Sequence, residues 1–295
     1  MPTSTSSSPD RLSWILLFTC ALIWGCSFIL MKRGLLAFSA PQVASLRIFF
    51  TTLIFLPFLP RALRQARRED LLPILTVGFF GSALPPFLFT AAQTHINSAT
   101  AGILNALSPL FTLLVGLAAF GLAFSRQKLL GILIGFVGAA SLIIHTAQGN
   151  QASDYSYGGY VVLATLCYGI SINTVTAKCR HLSPFTINAI SFSTSGIFIS
   201  AYLFSTDFLT RCQTQPDAAT SLLALFILSL FGTAIASIIY FKLAQRTDAL
   251  FSSMTTYLMP IVSIILGILD GEAIDMIYFI GIGLILSGIY LVQKQ

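Results

Sequence analysis

Two apolar stretches of the chain each carry a row of small and hydrogen-bonding residues that could contact a polar solute. The stretches are Asn97 to Leu117 and Asp248 to Ile268, and they correspond position for position at an offset of 151 residues. The two rows are Ala101, Asn105, Ser108 and Thr112 in the first stretch, and Ser252, Thr256, Met259 and Ser263 in the second. The spacing of four, three and four residues places each row on one face of a helix. The rows therefore predict reversible binding of a solute inside an apolar bundle.

Close packing of helices through small residues is the alternative explanation for these rows, and we favour it for Ala101 and Ser252. Asn105 differs because an amide in hydrocarbon needs a hydrogen-bonding partner or water, so we expect it at a cavity. Pro109 and Pro260 also lie 151 residues apart. Each proline removes a helical hydrogen bond and can free a carbonyl oxygen toward a solute, although a kink that only serves packing is the other interpretation.

Two further pairs of residues could contact a solute. Trp24 and Ser27 precede the counterparts Tyr168 and Ser171 by 144 residues. An aromatic ring beside a cavity could stack on the solute or gate it, and filling of the protein core is the alternative. The dipeptide Pro85-Pro86 is expected to break or kink its own helix.

Arg47 is an isolated cation inside the apolar run LRIFFTTLIFL. Two accounts stay open for it. Its side chain could snorkel to the membrane interface, or it could face the cavity as an anion-binding or gating group.

The composition indicates that these residues lie in a membrane. Hydrophobic residues make up 56% of the 295 positions and charged residues 9%, whereas a soluble domain has about 25% charged residues. Apolar runs long enough to cross the bilayer are predicted at 12–32, 42–60, 71–92, 98–119, 128–146, 157–178, 184–204, 219–241, 249–269 and 275–292. The predicted fold is an all-α integral membrane protein with ten transmembrane helices.

The basic residues predict the orientation of the chain. Of the 16 lysines and arginines, about three quarters fall in loops on the side that holds the N-terminus, so both termini are expected in the cytoplasm. The expected location is the cytoplasmic (inner) membrane. All ten acidic residues fall in predicted loops or at helix ends, so we expect no buried carboxylate and no carboxylate-based exchange of protons for a cationic drug.

The matched segments recur in order, which predicts two repeats of five helices, residues 1–147 and 148–295. Spans three and eight share Gly81-Ser82-Ala83 and Gly232-Thr233-Ala234, and spans five and ten share glycines at an offset of 150. Because five is odd, the second repeat must enter the membrane from the opposite side, so the repeats are inverted.

The order of these motifs resembles the EamA-type transporters of the drug/metabolite transporter superfamily. The motifs are Trp24-Gly25-x-Ser27-Phe28, Thr247-Asp248-Ala249 and Gly271-Glu272, and the resemblance runs from about Trp14 to Val292. It implies a central cavity between the halves and transport of small organic solutes. The position 150 residues before Glu272 is Leu122, so the first half departs from the second here.

We expect a secondary transporter that moves an amino-acid-like or other neutral or zwitterionic metabolite, in the direction of export, by alternating access. A carrier of phosphorylated or nucleotide-linked anions is the alternative, and a non-transport membrane protein is a weaker one. No enzyme activity, cofactor, metal or nucleic acid is expected. The expected partners are the lipid bilayer and a small-molecule substrate, and a monomer is plausible. The predicted substrate pathway comprises Trp24, Ser27, Arg47, Asn105, Ser108, Pro109, Thr112, Tyr168, Ser171, Thr256, Met259, Pro260 and Ser263.

Overall fold

A computed structural model describes residues 10–121, 126–149, 156–272 and 274–293. The secondary structure of these residues is entirely helical. The long helical segments are α1 (Arg11–Gly34), α2 (Ala40–Gln65), α3 (Arg68–Ala92), α4 (Ser98–Ala119), α5 (Arg126–Gly149), α6 (Ser156–Lys178), α7 (Pro184–Phe204), α8 (Ala218–Arg246), α9 (Ala249–Leu269) and α10 (Met276–Gln293). A short helix, Phe208–Thr214, lies between α7 and α8.

Eight of these segments are long and apolar enough to cross a membrane: α1 to α4 and α6 to α9. The segments α5 and α10 contain shorter apolar stretches, Leu129–Gly138 and Met276–Gly288. Large apolar side chains such as Phe198 and Leu269, each 78% exposed, lie on the outside of the bundle, where lipid would cover them. The chain is therefore a multi-pass membrane protein, and a count of ten membrane spans stays a prediction.

The helices α4 and α9 begin with matching caps. The Asn97 side chain accepts a hydrogen bond from Thr100 N at 2.8 Å, and the Asp248 side chain accepts one from Phe251 N at 2.8 Å. Each cap satisfies an N–H group that the first turn of a helix would otherwise leave unpaired. The caps lie 151 residues apart, so the two rows of polar residues start from equivalent helix ends.

The helices α3 and α8 each contain a π-helical segment, at Gly78–Ala83 and Leu228–Ile235. Such segments are rare and often mark functional sites. In α3 the segment precedes Pro85-Pro86, so the predicted disturbance takes the form of a widened turn while the helix continues. In α8 no proline follows, so proline alone does not explain the two segments.

Both π-helical segments come close to a serine of the other half. A Cβ added to Gly81 would lie 2.3 Å from Ser171 Oγ, and one added to Gly232 would lie 2.6 Å from Ser27 Oγ. These distances leave no room for a side chain at either glycine. The contact of α3 with α6 therefore matches the contact of α8 with α1.

The helices α5 and α10 cross through glycines. A Cβ on Gly138 would lie 2.8 Å from the carbonyl oxygen of Gly281, and one on Gly288 would lie 2.4 Å from that of Gly131. Small residues let the backbones of membrane helices approach in this way. This crossing joins the last described helix of each half.

Candidate solute-binding cavity

A cavity lies in the middle of the bundle between the two halves. The space that water-sized molecules could occupy measures about 100 Å³, and one water needs about 10–15 Å³ on this measure. Its wall is formed by α1, α2, α3, α4, α6, α7, α8 and α9, through Trp24, Ser27, Phe28, Met31, Arg47, Gly81, Ser82, Pro86, Phe89, Asn105, Ser108, Thr112, Tyr168, Ser171, Ile172, Phe192, Gly232, Thr233, Ser237, Tyr240, Phe241, Thr256 and Met259.

Ten of the thirteen predicted pathway residues line this one cavity. They are Trp24, Ser27, Arg47, Asn105, Ser108, Thr112, Tyr168, Ser171, Thr256 and Met259. Sequence periodicity thus identified residues that the fold brings together from five helices. Whether these residues contact a substrate stays a prediction.

Pro109, Pro260 and Ser263 are buried and do not line the cavity. Ser263 Oγ donates to the carbonyl of Pro260 at 3.1 Å, and a Cβ on Gly102 would lie 2.2 Å from the same Oγ. Since Gly102 has no side chain, α4 approaches α9 and covers Ser263. Helix packing, and not contact with a solute, therefore accounts for Ser263 at the end of the second row.

The two prolines also differ from each other. The helical hydrogen bonds of α4 are interrupted at Ala106 and Leu107, just ahead of Pro109, and the carbonyl of Asn105 there accepts a bond from Ser108 Oγ at 2.7 Å. In α9 the interruption is at Met254, and Pro260 lies inside the following helix. The equal spacing of the prolines in sequence thus corresponds to two different local structures.

Asn105 is 2% exposed and lies at the end of the first segment of α4. Its Nδ2 lies 3.5 Å from the sulfur of Met259, and its Oδ1 lies 3.3 Å from Ser108 Oγ. A thioether is a weak acceptor, so the amide N–H groups keep capacity for a stronger partner. Asn105 can therefore donate to a solute in the cavity.

Arg47 is 8% exposed and faces the cavity, so snorkelling to the interface does not describe it. Its Nε donates to Thr233 Oγ1 at 2.7 Å. Its Nη2 lies 3.5 Å from the Gly232 carbonyl, and its Nη1 lies 3.8 Å from the Met31 sulfur. It is the one charged residue among the described residues of the lining.

Aromatic side chains form two pairs on the wall. The rings of Trp24 and Tyr240 meet edge to face with centroids 4.7 Å apart, and those of Phe89 and Tyr168 are stacked at 6.0 Å. Trp24 Nε1 also donates to the Gly232 carbonyl at 2.9 Å. A fixed indole with a satisfied N–H offers its faces to apolar parts of a solute.

Helices α3 and α8 contribute residues to the cavity wall that were not part of the predicted substrate pathway. These helices supply Gly81, Ser82, Pro86, Phe89, Gly232, Thr233, Ser237, Tyr240 and Phe241. The matched tripeptides Gly81-Ser82-Ala83 and Gly232-Thr233-Ala234 indicated a repeat, and they also mark the π-helical segments at the wall. Small and hydroxyl residues at matching positions were therefore a usable signal for the site.

Two carboxylates are buried, contrary to our expectation. The side chain of Asp70 is 5% exposed, and its Oδ1 lies 2.9 Å from His181 Nε2. The side chain of Glu272 is 4% exposed. Both lie at helix ends, as predicted, and neither lines the cavity. Burial at a helix end was not foreseen because it depends on which loops pack over that end.

Glu272 joins the two halves at the face where α1 ends. Its Oε1 lies 2.9 Å from Lys32 Nζ, and its two oxygens accept from the N–H groups of Ser98 and Ala99 at 3.2 Å. Lys32 Nζ also lies 2.6 Å from Asp270, and its ammonium lowers the pKa of that carboxyl. A carboxylate at the N-terminus of a helix is stabilised by the helix dipole, so Glu272 holds α4 against α1.

A bundle of apolar helices around a largely uncharged cavity defines the class of multi-pass membrane transporters. Residues 11–144 and 158–293 each match the EamA-like transporter family. The chain belongs to this family, in agreement with the resemblance of its motifs.

Similar proteins carry transporter names. An "Uncharacterized transporter" of Archaeoglobus fulgidus is 22% identical and covers 96% of this chain and 99% of its own. The "Uncharacterized inner membrane transporter YedA" of Escherichia coli K12 is 24% identical, with coverage of 94% and 89%. The "Probable terminal-alkyne amino-acid exporter" of Streptantibioticus cattleyicolor is 22% identical, with coverage of 96% and 93%. A solved crystal structure with 17% identity and a TM-score of 0.65, covering 97% and 98%, shares the fold.

Proposed function

We propose that this protein is a secondary transporter that exports a small neutral or zwitterionic metabolite, such as an amino acid, by alternating access. The two halves would rock around the central cavity, which would open to each side in turn. The proposed location is the cytoplasmic membrane, with both termini in the cytoplasm, and the proposal rests there on the distribution of basic residues.

The observation that carries this proposal is the chemistry of the cavity wall. Hydroxyl groups of Ser108, Thr112 and Thr256 and the amide of Asn105 are combined there with aromatic rings. Ligand sites of this kind are mostly apolar with a few polar groups that fix the orientation of the ligand. A solute with one polar end and an apolar body fits such a wall better than a strongly charged one.

The similarity to a relative named as an amino-acid exporter supports the same class of substrate, at 22% identity. That name concerns a terminal-alkyne amino acid, and this chain has its own set of lining residues. We therefore propose the class of metabolite and the direction of export, and leave the individual compound open.

A carrier of phosphorylated or nucleotide-linked metabolites is the second candidate, because Arg47 is a buried cation on the cavity wall. A phosphate monoester carries close to two negative charges at neutral pH. One arginine would leave part of that charge uncompensated inside the bundle, where unpaired charge is costly. The single cation therefore favours the first candidate.

The test is counterflow in proteoliposomes that contain the purified full-length protein. Liposomes loaded with unlabelled amino acids should accumulate the labelled compound, whereas liposomes loaded with phosphate esters should not. Loss of activity in Thr256→Val, with activity kept in Thr19→Val, would assign transport to the cavity. Both threonine hydroxyls bond a carbonyl of their own helix at 2.8 Å, but Thr19 lies outside the cavity lining. Counterflow of phosphate esters alone would favour the second candidate, and absence of counterflow with all solutes would contradict both.

A further inference from the structure

Arg47 has unused hydrogen-bonding capacity inside the bundle. A guanidinium group carries five N–H donors, and only its Nε has a short hydrogen bond, to Thr233. The Nη atoms have one contact to a carbonyl at 3.5 Å and one to a sulfur at 3.8 Å. Both contacts are at the outer limit of a hydrogen bond, so the end of the guanidinium remains available to a ligand.

The charge of Arg47 is also uncompensated within the part of the chain that the structure describes. The ion pairs there involve other residues, and Arg47 has no carboxylate within 4.0 Å in any of them. Charged side chains inside a membrane protein are normally paired, or face a cavity where they act on a solute. An arginine fork matches a carboxylate with two parallel hydrogen bonds.

The second half carries no such group. Ser39 and Ser183 precede α2 and α7, and the same offset of 144 residues places Ser191 opposite Arg47. Ser191 Oγ donates to the Ile74 carbonyl at 3.1 Å and is not part of the cavity wall. The cavity is therefore cationic on the α2 side alone, which gives a ligand one orientation.

We propose that Arg47 binds a single carboxylate of the transported solute, and that the solute is an apolar monocarboxylate, with or without an α-amino group. Thr233 holds the guanidinium through Nε and leaves its Nη edge for the carboxylate. The pair Trp24 and Tyr240 takes up the apolar body, since Trp24 is anchored to the same Gly232 carbonyl that Arg47 approaches. This inference rests on the proposed transport through the same cavity, and its members without an amino group extend the proposed neutral or zwitterionic class to anions of a single charge.

The test compares matched ligands on the full-length protein in detergent and in proteoliposomes. The probes are L-leucine with L-leucinamide, benzoate with benzamide, and isoamyl phosphate. The wild type should bind both carboxylates in preference to their amides and to the phosphate ester, measured as a ligand-dependent rise in melting temperature. In Arg47→Gln the affinity for the carboxylates should fall about 10- to 100-fold while the affinity for benzamide, which carries no charge, is unchanged.

The melting temperature of the ligand-free protein is a second test, which does not depend on how tightly a ligand binds. Since Arg47 is a buried charge with no carboxylate partner among the described residues, ligand-free Arg47→Gln should melt no lower than the wild type. Arg47→Lys, which keeps the charge without the fork, should bind the carboxylates with intermediate affinity. A lower melting temperature in ligand-free Arg47→Gln would mean that the charge already has a structural partner, and it would overturn the inference.

The outcomes separate this inference from the proposed function. Carboxylate binding that depends on Arg47, without counterflow, would support the inference and contradict transport. Counterflow of leucine that is unchanged in Arg47→Gln would support transport and overturn the inference. If proteoliposomes with Arg47→Gln took up leucinamide while their transport of leucine was unchanged, Arg47 would be a barrier to cations. That result would also overturn the inference. Absence of binding by any probe carboxylate, or preference for isoamyl phosphate, would do the same.

Discussion

The two halves of the chain agree in their contacts and differ in their charges. The first half, residues 10–149, and the second half, residues 156–293, cap α4 and α9 alike and place Gly81 and Gly232 against equivalent serines. The position equivalent to Arg47 in the second half is Ser191, and the position equivalent to Glu272 in the first half is Leu122. The uncharged contacts thus form a scaffold that both halves share. Arg47 at the cavity and Glu272 at one end of the bundle have no charged counterpart at the equivalent position of the other half.

The shared contacts and the unmatched charges are expected to affect movement of the two halves differently. In the proposed alternating access, contacts that recur in both halves would cost similar free energy to break at either face, so they would favour neither the state open to one side nor the state open to the other. The unmatched Glu272 contacts join α4 to α1 at the face where α1 ends. Disturbing the shared contacts should therefore affect the fold, and disturbing the unmatched charges should affect the balance between states.

The largest effect is expected at the crossing of α5 and α10. Gly288→Ala would place a Cβ 2.4 Å from the Gly131 carbonyl and 2.7 Å from Gly135 N, both backbone atoms that cannot move aside. We expect the free energy of unfolding to fall by about 2–3 kcal/mol, measured from the thermal or denaturant unfolding of the detergent-solubilised protein. Gly283→Ala, on the same helix with no atom within 4 Å of the added Cβ, should be neutral or slightly stabilising. Equal losses in the two variants would contradict the close crossing.

A second experiment compares two glycines at matching positions, Gly25 and Gly169. A Cβ on Gly25 would meet Val262 Cβ at 2.4 Å, whereas a Cβ on Gly169 would meet the backbone of Phe111 at 2.9 Å. Each alanine variant should lose about 1–3 kcal/mol. In a double-mutant cycle, Val262→Gly should restore at least about 1 kcal/mol to Gly25→Ala because it removes the clashing atom. Trimming Phe111 to alanine should not rescue Gly169→Ala, since the clash is with backbone. Rescue of both glycine variants, or of neither, would contradict a side-chain clash at Gly25 and a backbone clash at Gly169.

The smallest effect is expected at Glu272. Glu272→Gln removes the charge that interacts with the N-terminus of α4 and with Lys32, whose side chain is 38% exposed. Because solvent screens the lysine, we expect a loss of about 1 kcal/mol, mostly from the helix dipole. Glu69→Gln is the matched control. Glu69 also lies in the first turn of a helix, α3, but its side chain and that of Arg67 are 71% and 75% exposed. Solvent therefore screens its interactions, and the melting temperature should change less than in Glu272→Gln. A shift in Glu69→Gln as large as that in Glu272→Gln would show that the contact with α4 contributes nothing.

Sequence periodicity predicted part of the cavity wall because the wall is formed by helices. Asn105, Ser108 and Thr112 lie on one helical face. Polar groups of an apolar membrane helix need hydrogen-bonding partners or water, so such a face is expected at a cavity. The prediction was wrong where the face is covered. Ser263 is the counterpart of Thr112, but the nearby Gly102 brings α4 onto it, and such an approach depends on a residue in a distant segment.

The contribution of α3 and α8 required three-dimensional information. Thr233, Ser237 and Tyr240 have the four- and three-residue spacing of one helical face, but the sequence alone did not show that this face lines the cavity. The orientation of Arg47 was likewise open from sequence, since either the interface or the cavity can accept a long cationic side chain. The fold decides between them by placing Thr233 and Gly232 beside the guanidinium.

The solitary cation in the described cavity wall has an energetic consequence for a carrier. With Arg47 and no carboxylate in that wall, the wall itself offers no acid that could pick up and release a proton in each cycle. An anion that leaves the cell moves down the electrical gradient when the interior is negative, and each elementary charge gains about 2.3 kcal/mol per 100 mV. This voltage alone would support about a 50-fold accumulation of a monocarboxylate outside. A zwitterion, which carries no net charge, would gain nothing from it and would follow its own concentration gradient.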